Sequence, residues 1–254
     1  MKTLHIVHCR LNSWPHPSGN YLNRKWLEFR IELFKDLVLP CYKEQYYQDF
    51  ILIGKIHPDT PEDIKLKFYQ LELLNERLRI VENYEEYRAY LYEKHKPGLC
   101  YETRADSDDI LDNVAMGMYH RPRRAFEWEE CRYFQDGYYW DVGKDILAKW
   151  DYPEHSSPQF LTYIIPGKQW AYERDDWYKE RWGGLHTMGC RFEPSEQLKG
   201  RHFMVLGHGV NASQQSRFAG SIIHDPEPVF RQFNITEQTR KKWIKKCNDK
   251  INSR

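Results

Sequence analysis

The sequence reads as an α/β chain: a mostly parallel central sheet flanked by helices. Three observations lead there. Apolar runs of strand length alternate with helix-period segments through the first half, an acidic cluster directly follows one of those runs, and beyond about residue 119 the pattern turns irregular and rich in aromatic residues. Such alternation implies parallel strands joined by crossover helices. Ligands of these sheets bind outside the carboxyl ends of the strands.

Leu4–Cys9, a short apolar run carrying His5 and His8, is the first strand. Trp26, Phe29, Leu33, Phe34, Leu37 and Val38 recur at helical spacing, and Pro40 is expected to stop that helix. Phe50–Ile53 is a buried-type strand closed by Gly54. From Pro61 to Leu74 the spacing predicts a helix, with Thr60 as its cap and Pro61 at its first position. Leu78–Val81 is another strand, Tyr84–Lys94 a helix, and Leu99–Thr103 a strand that ends at the acidic cluster. In the second half Gln135-Asp136-Gly137 separates Arg132–Phe134 from Tyr138–Trp140, a hairpin signal. Phe160–Ile165 reads as a strand ending at Pro166-Gly167, and Phe203–Leu206 as the last core strand. Lys168 to Trp182 is dense in Trp, Tyr, Asp and Arg without a clean period. Thr236 to Ile251 reads as a basic helix, a solvated end or, alternatively, a surface for peripheral membrane contact.

A chain of 254 residues can bury one substantial core, and a single domain is expected. Its formal charge of +1 gives no global attraction to nucleic acid, which is not expected as a partner. Part of the excess of 18 Tyr and 9 Trp belongs in the core, and aromatic faces also suit stacking on sugars or bases; composition alone leaves that choice open. No stretch approaches the roughly 20 apolar residues of a membrane span. Six scattered cysteines without a Cys-x-x-Cys pair are expected to be reduced, which fits a cytoplasmic setting.

Thr103-Arg104-Ala105-Asp106-Ser107-Asp108-Asp109 holds three carboxylates in four positions. Crowded carboxylates repel one another and raise each other's pKa unless a cation neutralises them. Oxygen-rich clusters suit Mg²⁺ or Mn²⁺, which often hold phosphates through one or two carboxylates. An Asp-x-Asp at a strand end is what a metal-bridged nucleotide-diphosphate site looks like, and Arg104 offers a planar fork for phosphate oxygens. The other reading is an acidic turn in which Ser107 or Asp108 caps a helix starting near Ile110. Spacing alone leaves both open. Arg10 ends the first strand and Asp59 lies beyond the second, each a candidate nucleotide contact or an ordinary charge. Arg24 and Arg30 on the first helix read as surface ion-pair residues.

Four blocks in order carry a resemblance: Arg24–Phe34 leading into Leu39-Pro40-Cys41 and Gln45; Asp49–Ile53 with Asp59-Thr60-Pro61; Thr103–Asp109; and Val205-Leu206-Gly207-His208-Gly209-Val210-Asn211. Together they resemble the "putative rhamnosyltransferase" family, whose members look like relatives of the GT-A glycosyltransferases. The resemblance spans Leu4 to about Asn211 and is weak between Tyr119 and Phe203. It implies a GT-A-like (Rossmann-like) fold with a nucleotide-sugar-binding half at about 1–118 and an irregular aromatic-rich acceptor half at about 119–235, ahead of the basic helix at 236–254. It also implies a metal-dependent, inverting glycosyltransferase that passes a hexose such as rhamnose from a nucleotide-diphosphate sugar to a glycan, lipid-linked or protein-linked acceptor. Asp106, Asp108, Asp109 and His208 would then hold Mn²⁺ or Mg²⁺, while Arg10, Asp59, Arg104 and Asp106 contact the donor.

An inverting transfer needs a base for the acceptor hydroxyl. Asp136, Asp141, Glu173, Asp175 and Asp176 are the candidates, and Asp175 and Asp176 lead because they follow the aromatic patch; His186 comes next. His186, Cys190, His202 and His208 fit no compact zinc spacing. Two alternatives stand beside the transferase: an inactive carbohydrate- or nucleotide-sugar-binding protein of the same fold, and a nucleotidyltransferase. The latter calls for a Gly-rich phosphate loop, which Ser18-Gly19-Asn20 is too slight to supply.

Overall fold

The computed structural model describes residues 1–13, 20–121, 130–151, 160–175, 195–208 and 220–251. Strand β1 (Thr3–Arg10) lies inside a seven-stranded sheet. It pairs in parallel with β2 (Ile51–Lys55) on one side and β4 (Leu99–Asp106) on the other, and β3 (Leu78–Val81) adds to β2. Beyond β4 the sheet continues with β9 (Thr162–Pro166), antiparallel to it, then β6 (Glu130–Phe134) and β10 (Ser195–Leu198). A second sheet has the order β5 (Asp109–Leu111), β11 (Phe203–Gly207), β7 (Asp136–Asp141), β8 (Ile146–Asp151). A mixed α/β architecture on a mostly parallel sheet is thus what the residues form.

Alternation along β1 divides the core. Ile6 joins Ile53, Cys100, Tyr163 and Ile165 under α4 (Tyr84–His95) and α6 (Gly167–Tyr172). Val7 and Cys9 face the opposite way and join α1 (Arg24–Leu33), α3 (Glu62–Gln70) and the second sheet.

Several local expectations fail for identifiable reasons. Pro40 does not end the first helix. The chain widens into a π-turn over Phe34–Val38, where Leu39 N–H bonds the Phe34 carbonyl, and continues as α2 (Leu39–Lys43) with Pro40 in its first turn. Proline clashes with the carbonyl four residues back in a regular helix, and a wide turn relieves that conflict. Thr60 does not cap α3; Pro61 holds the cap position without a side-chain bond, and the Thr60 hydroxyl donates to His57 O at 2.6 Å and accepts from Asn12 Nδ2 at 2.8 Å. No hairpin forms at Asp136-Gly137, because β6 and β7 belong to different sheets. Gly137 serves packing instead, since a Cβ there would overlap the Phe203 ring.

Nor does a helix start near Ile110 under a Ser107 or Asp108 cap. Strand β4 runs three residues past Thr103, and buried Ile110 and Leu111 pair antiparallel with Met204 and Phe203. The next helix starts later, at α5 (Ala115–Met118), with Val114 at its cap position and Asp112 Oδ1 accepting from Ala115 N–H at 3.1 Å. The aperiodic stretch after Pro166 opens as α6, whose Trp170 is fully buried. After α7 (Glu227–Gln232), the basic tail forms α8 (Glu237–Ile251). Its Trp243 and Cys247 are buried in the main core, and Lys242 pairs with Asp36 at 2.6 Å. Membrane docking loses its apolar anchor, because that face is spent on the protein. Among the described residues no helix is long and apolar enough to cross a membrane.

Candidate active site

The carboxyl ends of β1 and β4 bring together residues far apart in sequence. Parallel register sets His8 beside Arg104 and Arg10 beside Asp106. Side chains at i and i+2 share a face, so His8, Arg10, Glu102, Arg104 and Asp106 lie on the α4–α6 side of the sheet. A pocket of about 180 Å³ opens there, lined among others by His8, Arg10, Lys55, Glu102, Arg104 and Arg174.

The pocket floor is a buried network. Arg174 grips Glu102 through Nη2 at 2.6 Å and Nε at 2.7 Å, and the Trp170 indole N–H donates to Glu102 Oε2 at 2.8 Å. Burial alone would raise the Glu102 carboxyl, yet the Arg174 guanidinium holds it well below the usual carboxylate range. His8 stacks on Tyr84 at 4.0 Å between centroids and sits 3.7 Å from Glu102. Burial lowers the His8 pKa despite that carboxylate, so the imidazole is neutral at pH 7.

The acidic cluster splits around the sheet edge. Asp106 accepts from Arg10 Nη2 at 2.9 Å and lies 3.6 Å from Arg104 Nη2. Burial would raise its pKa, but Arg104 and Arg10 bring it below the ordinary value. Asp108 turns towards α1 and β11. Its Oδ2 is 2.5 Å from Arg30 Nη1 and 3.0 Å from His208 Nε2, and its Oδ1 accepts from Arg30 Nη2 at 3.2 Å. Arg30 also donates to the Ser107 hydroxyl. Burial opposes ionisation of Asp108, and Arg30 and His208 outweigh it, so its carboxyl stays far below the ordinary range. Asp109 is the reverse case: burial, then the charges of Asp108 and Asp106, push its carboxyl well up.

Of the donor residues expected from sequence, Arg10, Arg104 and Asp106 meet in one group. Asp108 and His208 meet in a second, organised by Arg30. Asp59 stays apart, exposed in the turn after β2 with its carboxylate 3.9 Å from His57. Among the base candidates, Asp175 is exposed and pairs with Arg174 at 2.9 Å, and Asp141 accepts from Lys144 N–H at 3.1 Å. Asp176, His186, Cys190 and Gly209–Asn211 lie outside the described residues. Gly207 has a packing role, as a Cβ there would overlap the Tyr139 hydroxyl.

The expected divalent metal does not fit the donors as they stand. Both Asp108 oxygens are engaged by Arg30, and Asp106 faces Arg10 and Arg104. His208 Nε2 lies 3.0 Å from Asp108 Oδ2 and 3.3 Å from Arg30 Nη1, so the side from which it would meet a metal is already taken by these two neighbours.

Sequence reasoning missed Arg30, His8, Glu102, Lys55 and Arg174. A signal existed for Arg30, which stands three residues after Leu27 and four before Phe34 on the buried stripe of the helix. A charge on that stripe calls for a buried partner. Glu102 had a weaker one, since Glu102, Arg104 and Asp106 alternate with Tyr101, Thr103 and Ala105 on a single strand.

The family model described as "Putative rhamnosyl transferase" matches residues 19–167, more than half of the chain. The chain belongs to this family. Membership supports a glycosyltransferase. No curated protein matches the chain. Solved structures give faint likenesses. A cytidylyltransferase from Leptospira borgpetersenii is 12% identical over 80% of this chain and 78% of that one, with a TM-score of 0.43. S. aureus TarS 1-349 in complex with UDP is 13% identical over 96% and 70%, with a TM-score of 0.39. A 4-diphosphocytidyl-2C-methyl-D-erythritol synthase from Anaerococcus prevotii is 10% identical over 98% and 96%, with a TM-score of 0.42. Likenesses at this level carry no argument about activity.

Proposed function

We propose that this family member transfers a hexose, such as rhamnose, from a nucleoside-diphosphate sugar to a hydroxyl of a glycan, lipid-linked or protein-linked acceptor, with inversion. The observation that carries the reading is the pair Arg10 and Arg104 flanking Asp106 at the mouth of a pocket above the carboxyl ends of β1 and β4. In a parallel sheet that is where a nucleotide lies. The diphosphate would face the two guanidinium groups, and Asp106 would orient them and meet the ribose. The 1–118 half supplies this donor site, and 119–235 borders the acceptor.

In the reaction the acceptor oxygen bonds the anomeric carbon, its proton passes to a carboxylate, and the bond to the diphosphate breaks with its electron pair on the leaving oxygen. Arg10 and Arg104 stabilise the charge that grows there. Asp175 is the base we favour, with Asp176 beside it in sequence, because Asp175 is exposed next to Arg174 at the pocket wall. No step runs through Mn²⁺ or Mg²⁺. Among the described residues Cys9, Cys41 and Cys100 are buried thiols, which supports a reducing, cytoplasmic setting.

The test is a panel of nucleotide sugars read by thermal shift and by release of nucleoside diphosphate. Stabilisation with turnover supports the transferase, and stabilisation without turnover favours the binding-protein alternative. Asp175→Asn is expected to lower kcat at least ~10²-fold with donor binding unchanged. Should it transfer at the wild-type rate, Asp175 is not the base.

A further inference from the structure

We propose that the guanidinium of Arg30 stands where an Asp-x-Asp site would hold a divalent cation, so that the diphosphate is bound by Arg10 and Arg104 without a metal ion. This rests on the donor-site reading and adds to it a positioning residue and a cofactor requirement. Crowded carboxylates need a counter-charge, and here three guanidinium groups (Arg10, Arg30 and Arg104) face the two carboxylates of Asp106 and Asp108. These guanidinium groups already supply the counter-charge that a divalent cation would otherwise bring to the two carboxylates.

Geometry limits the alternatives. Arg30 spans both oxygens of Asp108 with its two Nη atoms, the fork-to-carboxylate arrangement that gives the strongest ion pairs. A Mg²⁺ ion needs its oxygens at about 2.0–2.1 Å and would compete with that fork for the Asp108 oxygens. The displaced guanidinium would have nowhere favourable to go, because Arg30 is buried on a helix whose Leu27, Phe29 and Leu33 are core residues. Removing a buried cation from its partner is strongly unfavourable.

Arg10 and Arg104 differ, because both line the pocket and keep part of their surface open. Also at that pocket is His8, nine-tenths buried, whose Nε2 has no hydrogen-bond partner among the described residues. Neutral imidazole there is ready to meet a ligand's polar atom.

Calorimetric titration of the full chain with UDP, GDP, CDP, dTDP and inorganic pyrophosphate, in EDTA and then in Mn²⁺, tests this. The expected result is binding of at least one nucleoside diphosphate in EDTA, with an affinity that changes less than about threefold in Mn²⁺. Binding that appears only with Mn²⁺, or tightens by more than about tenfold, overturns the proposal and leaves the donor reading standing. If no probe binds in either buffer, both fail.

Arg30→Met keeps the apolar stem and removes the charge, leaving Asp108 and His208 to a metal. Mn²⁺ alone, followed by its paramagnetic resonance signal, should bind this variant at least about tenfold tighter than wild type. Equal affinity overturns the substitution of guanidinium for metal. Arg30→Lys, which keeps a charge, should retain diphosphate binding in EDTA; if Arg30→Met does not fold, this variant and the wild-type titrations decide.

Discussion

Two ion-pair clusters, built on carboxylates two residues apart in sequence, have different surroundings. In the first, Arg10, Asp106 and Arg104 keep side-chain exposures of 26%, 28% and 24%. In the second, Arg30, Asp108 and His208 are exposed by 8%, 14% and 0%. Both place carboxylates against guanidinium groups, and the arginines of the first line the pocket above β1 and β4. A short acidic motif is therefore not one unit. The strand ends at Asp106, the chain turns over the sheet edge, and successive carboxylates enter different environments. On the proposed reading, the more open pair meets the donor and the buried pair holds the turn in place.

The largest effect that sharpens this contrast is on stability. Asp108→Asn should destabilise the fold by about 3–5 kcal/mol, because it leaves the buried Arg30 charge without its partner. Asp106→Asn, in the more open pair, should cost no more than about 1 kcal/mol. Urea unfolding of both variants checks the ranking. Asp108 is largely buried, so its charge cannot be removed without cost to the fold.

Binding should show the opposite order. Arg104→Met is expected to weaken nucleoside-diphosphate binding at least about tenfold, as one charge-assisted contact is lost, with a change in stability within about 1 kcal/mol. Isothermal titration beside urea unfolding measures both quantities, and an equal loss of stability would erase the distinction between the clusters.

The smallest effect concerns Asp109 and has the opposite sign to its neighbours. For Asp108 the folded pKa is depressed, so its contribution is present above the ordinary value of 3.8 and is lost as pH falls below it. For Asp109 the folded pKa is raised, so folding is penalised as pH climbs above 3.8 towards the folded value. Asp109→Asn removes that penalty and preserves an acceptor for the Leu206 backbone; it should raise stability at pH 7 by up to about 1 kcal/mol and not at pH 3. Unfolding at the two pH values checks the crossover.

The parallel half of the fold was legible because local signals agree with tertiary ones there. Apolar runs at Leu4–Cys9, Ile51–Ile53 and Leu78–Val81 became strands, and Tyr84 to His95 a helix, because period and propensity point the same way. The second half obeys longer-range demands. Asp136-Gly137 looks like a turn locally, but Gly137 is fixed by Phe203, far away in sequence. At the site, the carboxylates were readable from their spacing. Their partners were not, because Arg30 comes from a helix 78 positions earlier and Arg174 joins Glu102 across 72. Arg30, read from sequence as a surface ion-pair residue, is buried on the apolar stripe of its helix, and no spacing rule names the carboxylate it would meet.

The most direct test of the central claim is release of nucleoside diphosphate from a panel of nucleotide sugars by wild type and Arg104→Met side by side. The claim predicts that at least one donor is turned over by wild type, and at least about tenfold more slowly by the variant at low donor concentration. Equal rates in the two proteins, or no donor bound or turned over by either, would contradict it.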